Sequence, residues 1–256
     1  MAEIDKILKA RGCMSLKQFG EMINTRTFIS TGYPELDEFI CEDGGIPVNA
    51  ISEIFGAPGS GKSRFVKDIC VRPEVHALYI DTENSLPADE YNYLTEHGCD
   101  VLALNLIEMI WGVVNDAIDI KDKPYNLIVV DSLAATTTTA EISADNEISM
   151  ANQLSQAKVL TAWLKQLLNK LNGSGVAVIL VNHKKIKPGP VTVKTTPGGA
   201  SPKFYSSLRL EFSVSKSDIK GSTQKTQVTV AKSRFSPPNR STYIKMELDW
   251  KNKLEK

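Results

Sequence analysis

The chain has 256 residues, 42% of them hydrophobic, with 30 basic side chains against 30 acidic ones and a formal net charge of zero. That is enough chain to bury one sizeable core, and it fits one large α/β domain better than two small ones. No apolar run approaches the roughly 20 residues of a membrane span, and the opening MAEIDKILKARG carries charges where a secretory leader needs an apolar stretch. The expectation is a soluble cytoplasmic protein with no membrane partner. Cys13, Cys41, Cys70 and Cys99 are widely spaced with no C-x-x-C pair, which reads as reduced, mostly buried thiols and not a disulfide framework or zinc site.

A net charge of zero argues at first against nucleic acid. The distribution changes that impression: residues 1–131 hold 22 acidic and 11 basic residues, and the remainder holds 8 and 19. Lys184, Lys185, Lys187, Lys194 and Lys203 fall between His183 and Leu208 with no acid among them. An unevenly charged solvated surface would give the same balance, so the motifs must decide.

Taken in order, residues 1–28 form a short polar segment with room for a small helix or two, a possible oligomerisation element. A core spanning 29–256 starts near FISTGYPELDEF. AISEIF (50–55) reads as a buried strand ending at glycine, Lys62 to Cys70 as a helix, and HALYI (76–80) as a second strand. Residues 108–120 and 149–171 have helical spacing, while LIVVD (127–131) and VAVILVN (176–182) are short apolar runs suited to a parallel sheet covered on both faces. From 209 the pattern changes to RLEFSV, TQVTVAK and TYIKMEL without long helices between them, which predicts an antiparallel extension. The fold class is three-layer α/β with a mostly parallel central sheet and antiparallel C-terminal strands.

Gly56-Ala57-Pro58-Gly59-Ser60-Gly61-Lys62-Ser63 fits G-x-x-x-x-G-K-[ST], after a strand and before a helix, as a phosphate-binding loop requires. Its glycines let backbone N–H groups turn toward phosphate oxygens, and the helix N-terminus adds partial positive charge. Lys62 then neutralises the β and γ phosphates and Ser63 Oγ ligates Mg²⁺, so the cofactors read are ATP and Mg²⁺. Asp131, ending an apolar strand at the same sheet edge, is the candidate metal-side acid. After the strand ALYI, Glu83 is placed to orient the attacking water as a general base, whereas Asp81 reads as structural.

Together these residues resemble the RecA recombinase family. The likeness begins in ISTGYPELDEFICEDGGIPVNAISEIFGAPGSGKS and continues in order through YIDTEN, LIVVDSLAA, SQAKVLTAWLKQL, LVNH, TPGGASPKFYSSLRL and VAKSRFSPP, about residues 29–248. It implies a RecA-like P-loop ATPase core that binds single-stranded and double-stranded DNA as a homo-oligomer, filament or ring. Glu83 then matches the catalytic glutamate. The segment Ala134 to Met150 matches a first DNA-binding loop, and Lys184 to Lys203 a second. Lysines in the second loop (184, 185, 187, 194, 203) would neutralise phosphates without reading bases. Gly198 and Gly199 in its Thr-Pro-Gly-Gly turn would supply backbone N–H groups and freedom to order on DNA. Lys232 and Arg234 in VAKSR match the pair that reaches a neighbouring subunit's ATP, by the logic of an arginine finger. An alternating strand with exposed basic residues is the plainer account. Tyr91, by rough alignment, would stack on adenine, although an aromatic there also suits a core.

Two departures stand out. RecA proteins have Asn-Gln where this chain has Asn182-His183, and phage recombinases of the UvsX type resemble it in having Asn-His, so a phage or mobile-element origin is plausible. His183 would still sense the γ-phosphate through its ring nitrogens. The chain also ends soon after the last core strand, and its N-terminal segment is short. Leu16, Phe19, Met22 and Ile23 give that segment an apolar helical face for a neighbour or for its own core. The leading function is a DNA-dependent ATPase that coats single strands and promotes strand exchange. The alternatives are a core-only recombination mediator and a hexameric motor.

Overall fold

Four runs of β-branched and aliphatic residues form the centre of the molecule: β3 (Ala50–Gly56), β4 (Ala77–Asp81), β6 (Leu127–Asp131) and β7 (Ala177–His183). A computed structural model describes residues 2–11, 15, 17, 27–41, 44–122, 124–143, 150–187, 193–215 and 218–249. All four strands are parallel, and every residue in them is buried except His183, as a sheet covered on both faces demands. Alternate side chains face opposite layers. Ile54, Tyr79, Val129 and Ile179 pack with Phe65 and Ile69 of α3 (Lys62–Cys70), whereas Ile51, Ile80, Val130 and Leu180 pack with residues of α5 (Ile107–Asp119) and α7 (Met150–Leu171).

The nine-stranded sheet runs β11-β12-β10-β3-β7-β6-β4-β5, with β13 beside β12. Here β5 is Asp100–Ala103, β10 Leu208–Ser213, β11 Ile219–Lys220, β12 Thr223–Ser233 and β13 Arg240–Glu247. Two smaller sheets flank it, β1 (Phe28–Ile29) with β2 (Ile46–Pro47), and β8 (Lys185–Lys187) with β9 (Val193–Thr195). One sequence expectation is corrected. RLEFSV belongs to the parallel part of the sheet, because β10 pairs parallel with β3, and the antiparallel extension starts only at β12. The physical reason is the length of the crossover: residues 184–207 return the chain to the start of the sheet, whereas short turns impose antiparallel pairing afterwards.

At the N-terminus, α1 (Ala2–Ala10) leaves Ile4 and Ile7 exposed. Leu16, Phe19, Met22, Ile23 and Cys13 lie outside the described residues. Cys41, Cys70 and Cys99 are free thiols, the last two buried. Among the described residues, no helix is long and apolar enough to cross a membrane.

Candidate nucleotide site

At the carboxyl end of β3 the backbone turns at Gly56, where an added Cβ would lie 2.2 Å from the carbonyl oxygen of Phe212 on β10. Only glycine lets the two strands approach so closely. Gly61 precedes α3 with φ of 89°, a left-handed conformation that selects glycine, and a Cβ there would meet the tip of the Met246 side chain. Gly59, also at positive φ, and its neighbours Ala57 and Pro58 lie at the surface, while Ser60 is buried. Lys62 is buried too; its amine donates to the carbonyls of Gly56 at 3.2 Å and Ala57 at 2.9 Å. Burial lowers its pKa, and the nearby Asp131 and Glu83 carboxylates partly offset this.

Asp131 ends β6 directly across from this loop. The Tyr79 hydroxyl donates to its Oδ2 at 2.8 Å and the Ser63 hydroxyl also bonds it. Burial pushes the Asp131 carboxyl above its ordinary range, against those two hydroxyls and the Lys67 ammonium. Glu83 is held on the other side of the cleft: Ser132 Oγ donates to its Oε1 at 2.9 Å, and His183 Nε2 lies 3.4 Å from the same oxygen. Asp81 plays the structural part expected, accepting the backbone N–H groups of Glu83, Ser85 and Leu86. Tyr91 is not in this cluster; it sits on α4 (Ala88–Glu96) and is 46% exposed.

Sequence reading missed Lys67, Tyr79 and Glu90. Lys67 follows Ser63 by one helical turn, its ammonium pairs with Glu90 and lies 5.9 Å from the centre of the Tyr79 ring. The i, i+4 spacing from Ser63 was the available signal. With Ser63, Asp81, Glu83 and Asp131, Lys67 and Tyr79 line a polar cavity of about 70 Å³. The donor set suits Mg²⁺: a hydroxyl and a carboxylate are hard oxygen ligands. Among the described residues no cluster of three His, Cys, Asp or Glu could cage an ion. Such a site takes its metal together with phosphate oxygens.

The same chain is matched by the RecA N-terminal domain family over residues 1–250. Protein RecA of Clostridium novyi (strain NT) is 32% identical over 252 residues, which cover 93% of this chain and 69% of that protein. For protein RecA of Aquifex aeolicus (strain VF5) the identity is 31%, with 93% and 70% covered, and for that of Latilactobacillus sakei subsp. sakei (strain 23K) it is 30%, with 93% and 68% covered. The chain belongs to the RecA family. Membership makes it an ATP-dependent recombinase and a DNA-dependent ATPase.

The other residues expected to matter in a RecA-family protein are spread over two regions. Lys184 follows His183; its backbone N–H donates to Gly56 O at 3.0 Å and its amine pairs with Glu211. Lys185 and Lys187 on β8 face Thr195 and Val193 of β9, with Lys194 between them. Gly198, at φ of 84°, brings the Thr-Pro-Gly-Gly turn so close to α7 that a Cβ would lie 2.3 Å from Leu160 Cδ2, and Gly199 also has positive φ. Of the segment expected to form a first DNA-binding loop, Ala134 to Met150, the start lies in a 3₁₀ turn (Leu133–Ala135) and Thr139–Ser143 form a short helix, α6, while residues 144–149 lie outside the described residues.

Lys203 lies on α8 (Ser201–Tyr205). The Lys232 amine donates to the carbonyls of Lys203 at 2.7 Å and Phe204 at 3.0 Å, capping that helix. Burial first, then the charges of Arg234 and Arg209, lower its pKa. Arg234 is exposed. Strand register sets both residues far from their own P-loop, because Lys232 stands opposite Arg209 while Gly56 stands opposite Phe212. Three residues of β10 separate the two levels, roughly 10 Å of strand.

Proposed function

We propose that this RecA-family protein binds ATP with Mg²⁺ on residues 56–63, completes its catalytic site with a neighbouring subunit, and uses the cycle to coat single-stranded DNA and pair it with a duplex. One observation carries the reading. Lys62, Ser63, Asp131, Glu83 and His183 meet at one edge of the sheet, whereas Lys232 and Arg234 stand at the level of Arg209, back along the strands. Two sets of charged residues separated in this way within one subunit suit a head-to-tail contact that brings one set to the other.

In this reading backbone N–H groups of 56–61 and the α3 N-terminus hold the phosphates, and Lys62 exchanges its two carbonyl partners for phosphate oxygens. Ser63 and Asp131 would hold Mg²⁺, which would supply positive charge to neutralise the phosphates. Glu83, fixed by Ser132, accepts the proton of the attacking water. His183, in reach of Glu83, reads the γ-phosphate. The partner's counterparts of Lys232 and Arg234 stabilise charge that develops in transfer. Tyr91, exposed on the helix after Glu83, stacks on the base. Lys184, Lys185, Lys187, Lys194 and Lys203, with the amides of Gly198 and Gly199, hold the DNA backbone.

The test is ATP hydrolysis against protein concentration, with and without single-stranded DNA, for the wild type and Arg234→Ala. Steep concentration dependence, stimulation by DNA and loss in the variant are expected. DNA-independent turnover would point to a motor, and tight ATP and DNA binding without turnover to a mediator.

A further inference from the structure

Glu53 lies in β3, three residues before the P-loop, and is completely buried. A carboxylate in the middle of a sheet persists only when both oxygens are satisfied. Here Asn182 Nδ2 donates to Oε1 at 3.0 Å, and Arg209 Nε donates to Oε2. The Arg209 guanidinium is in turn fixed over the Phe55 ring at 4.4 Å. One side chain of β3 therefore ties together β7 and β10.

Asn182 is also fully buried, and each part of its amide has a use. Besides Glu53, its Nδ2 donates to the carbonyl of Pro197 at 3.1 Å, and its Oδ1 accepts the backbone N–H of His183 at 2.9 Å. Two acceptors on one side and a donor on the other permit a single orientation of the amide. The Glu53 carboxylate enforces that orientation, because the reversed amide would turn its oxygen toward Oε1. His183 leads to Glu83, and Pro197 belongs to the Thr-Pro-Gly-Gly turn.

We propose that Glu53 is a positioning residue for communication between nucleotide and DNA: through Asn182 it holds His183 beside Glu83 and tethers the 196–199 turn, so that the two move together. The proposal rests on the reading of His183 and of residues 184–203 given above. Glu53 touches neither nucleotide nor DNA. A displacement of His183 pulls on the Asn182 amide, and the same amide carries Pro197.

Glu53→Gln keeps the shape and one acceptor oxygen but sets an amide donor against the Arg209 donor, or against Asn182 if it flips. The experiment is steady-state ATP hydrolysis by the full chain with and without poly(dT), together with poly(dT) affinity in the presence and absence of ATP. For Glu53→Gln the expected result is a lower thermal midpoint, because the buried Arg209 charge loses its partner, in a variant still folded at the assay temperature, with basal turnover and KM for ATP within about twofold of wild type. Stimulation by poly(dT) falls about tenfold, a typical coupling factor, and the effect of ATP on poly(dT) affinity is lost. A lesion that merely loosened the fold would raise KM and lower basal turnover together. If Glu53→Gln does not fold, Arg209→Lys, which keeps the charge and loses the planar fork, is read in the same way. A stimulated wild type with an equally stimulated, folded variant overturns the proposal alone. A wild type indifferent to poly(dT) overturns the reading on which it rests.

Discussion

Nε2 of His183 lies 3.4 Å from Oε1 of Glu83, the oxygen that also accepts the Ser132 hydroxyl at 2.9 Å. Strand register brings them together, because His183 ends β7 opposite Gly56 and Ser132 follows Asp131 at the end of β6. His183→Ala leaves Glu83 oriented by Ser132 alone and should lower kcat about tenfold, less than the ~10²-fold or more that losing the proton acceptor itself would cost, because Glu83 remains. His183→Gln restores a donor within reach and should recover most of the rate. Steady-state kinetics decide; an alanine variant as fast as wild type removes His183 from the catalytic cleft.

Lys62 and Glu83 should fail differently. Lys62→Ala removes the buried cation of the phosphate loop and should abolish nucleotide binding. Glu83→Gln keeps the loop intact, so a fluorescent ATP analogue should bind within about threefold of wild type while turnover falls ~10²-fold or more. Equal loss of binding in both variants would cancel the division of roles.

Arg234→Ala should separate catalysis from stability. Burial and the Arg234 and Arg209 charges lower the Lys232 pKa, so the folded chain holds that proton less firmly than the unfolded chain. A depressed lysine contributes stability above its unfolded pKa and loses it as pH falls through the folded one, so at neutral pH the ammonium is a net cost. Removing Arg234 relieves one repelling charge. Its thermal midpoint at neutral pH should equal or slightly exceed that of wild type, the difference closing in alkaline buffer, while DNA-stimulated turnover falls ~10³-fold. A midpoint that drops by many degrees would mean that Arg234 supports its own subunit's fold.

Salt dependence tests the basic segment. If Lys184, Lys185 and Lys187 each neutralise one phosphate, replacing all three with alanine should reduce the slope of log K against log salt for single-stranded DNA by ~2. Lys184→Ala alone should account for about a third of that, its amine exchanging Glu211 for a phosphate on binding. An unchanged slope in the triple variant would place the DNA elsewhere.

The phosphate loop, Asp131 and Glu83 were legible because their spacing and strand-end positions are local in the chain. So was most of the sheet, since continuous apolar runs mark strands buried on both faces. The direction of β10 was not legible, because a strand's sequence does not record which neighbour it joins. Nor were the partners of the buried charges: Lys67 finds Glu90 at a separation of 23 residues, and Tyr79 finds Asp131 at 52. In the sequence Glu53 is an anomaly in an apolar strand, and its meaning waits for β7 and β10 to be placed beside it.

Glu53 meets Asn182 across 129 residues of chain and Arg209 across 156. Contacts between such distant segments close long loops, and the entropy of closing them must be met before the pairing rewards it. Without Asn182 and Arg209 beside it, a Glu53 carboxylate buried in the sheet would leave both oxygens unanswered, at a cost of about 3–5 kcal/mol. The strand that carries the phosphate loop therefore depends on two strands far from it in the chain. β10, the last parallel strand in the chain, supplies the charge that lets β3 hold that loop from inside the sheet.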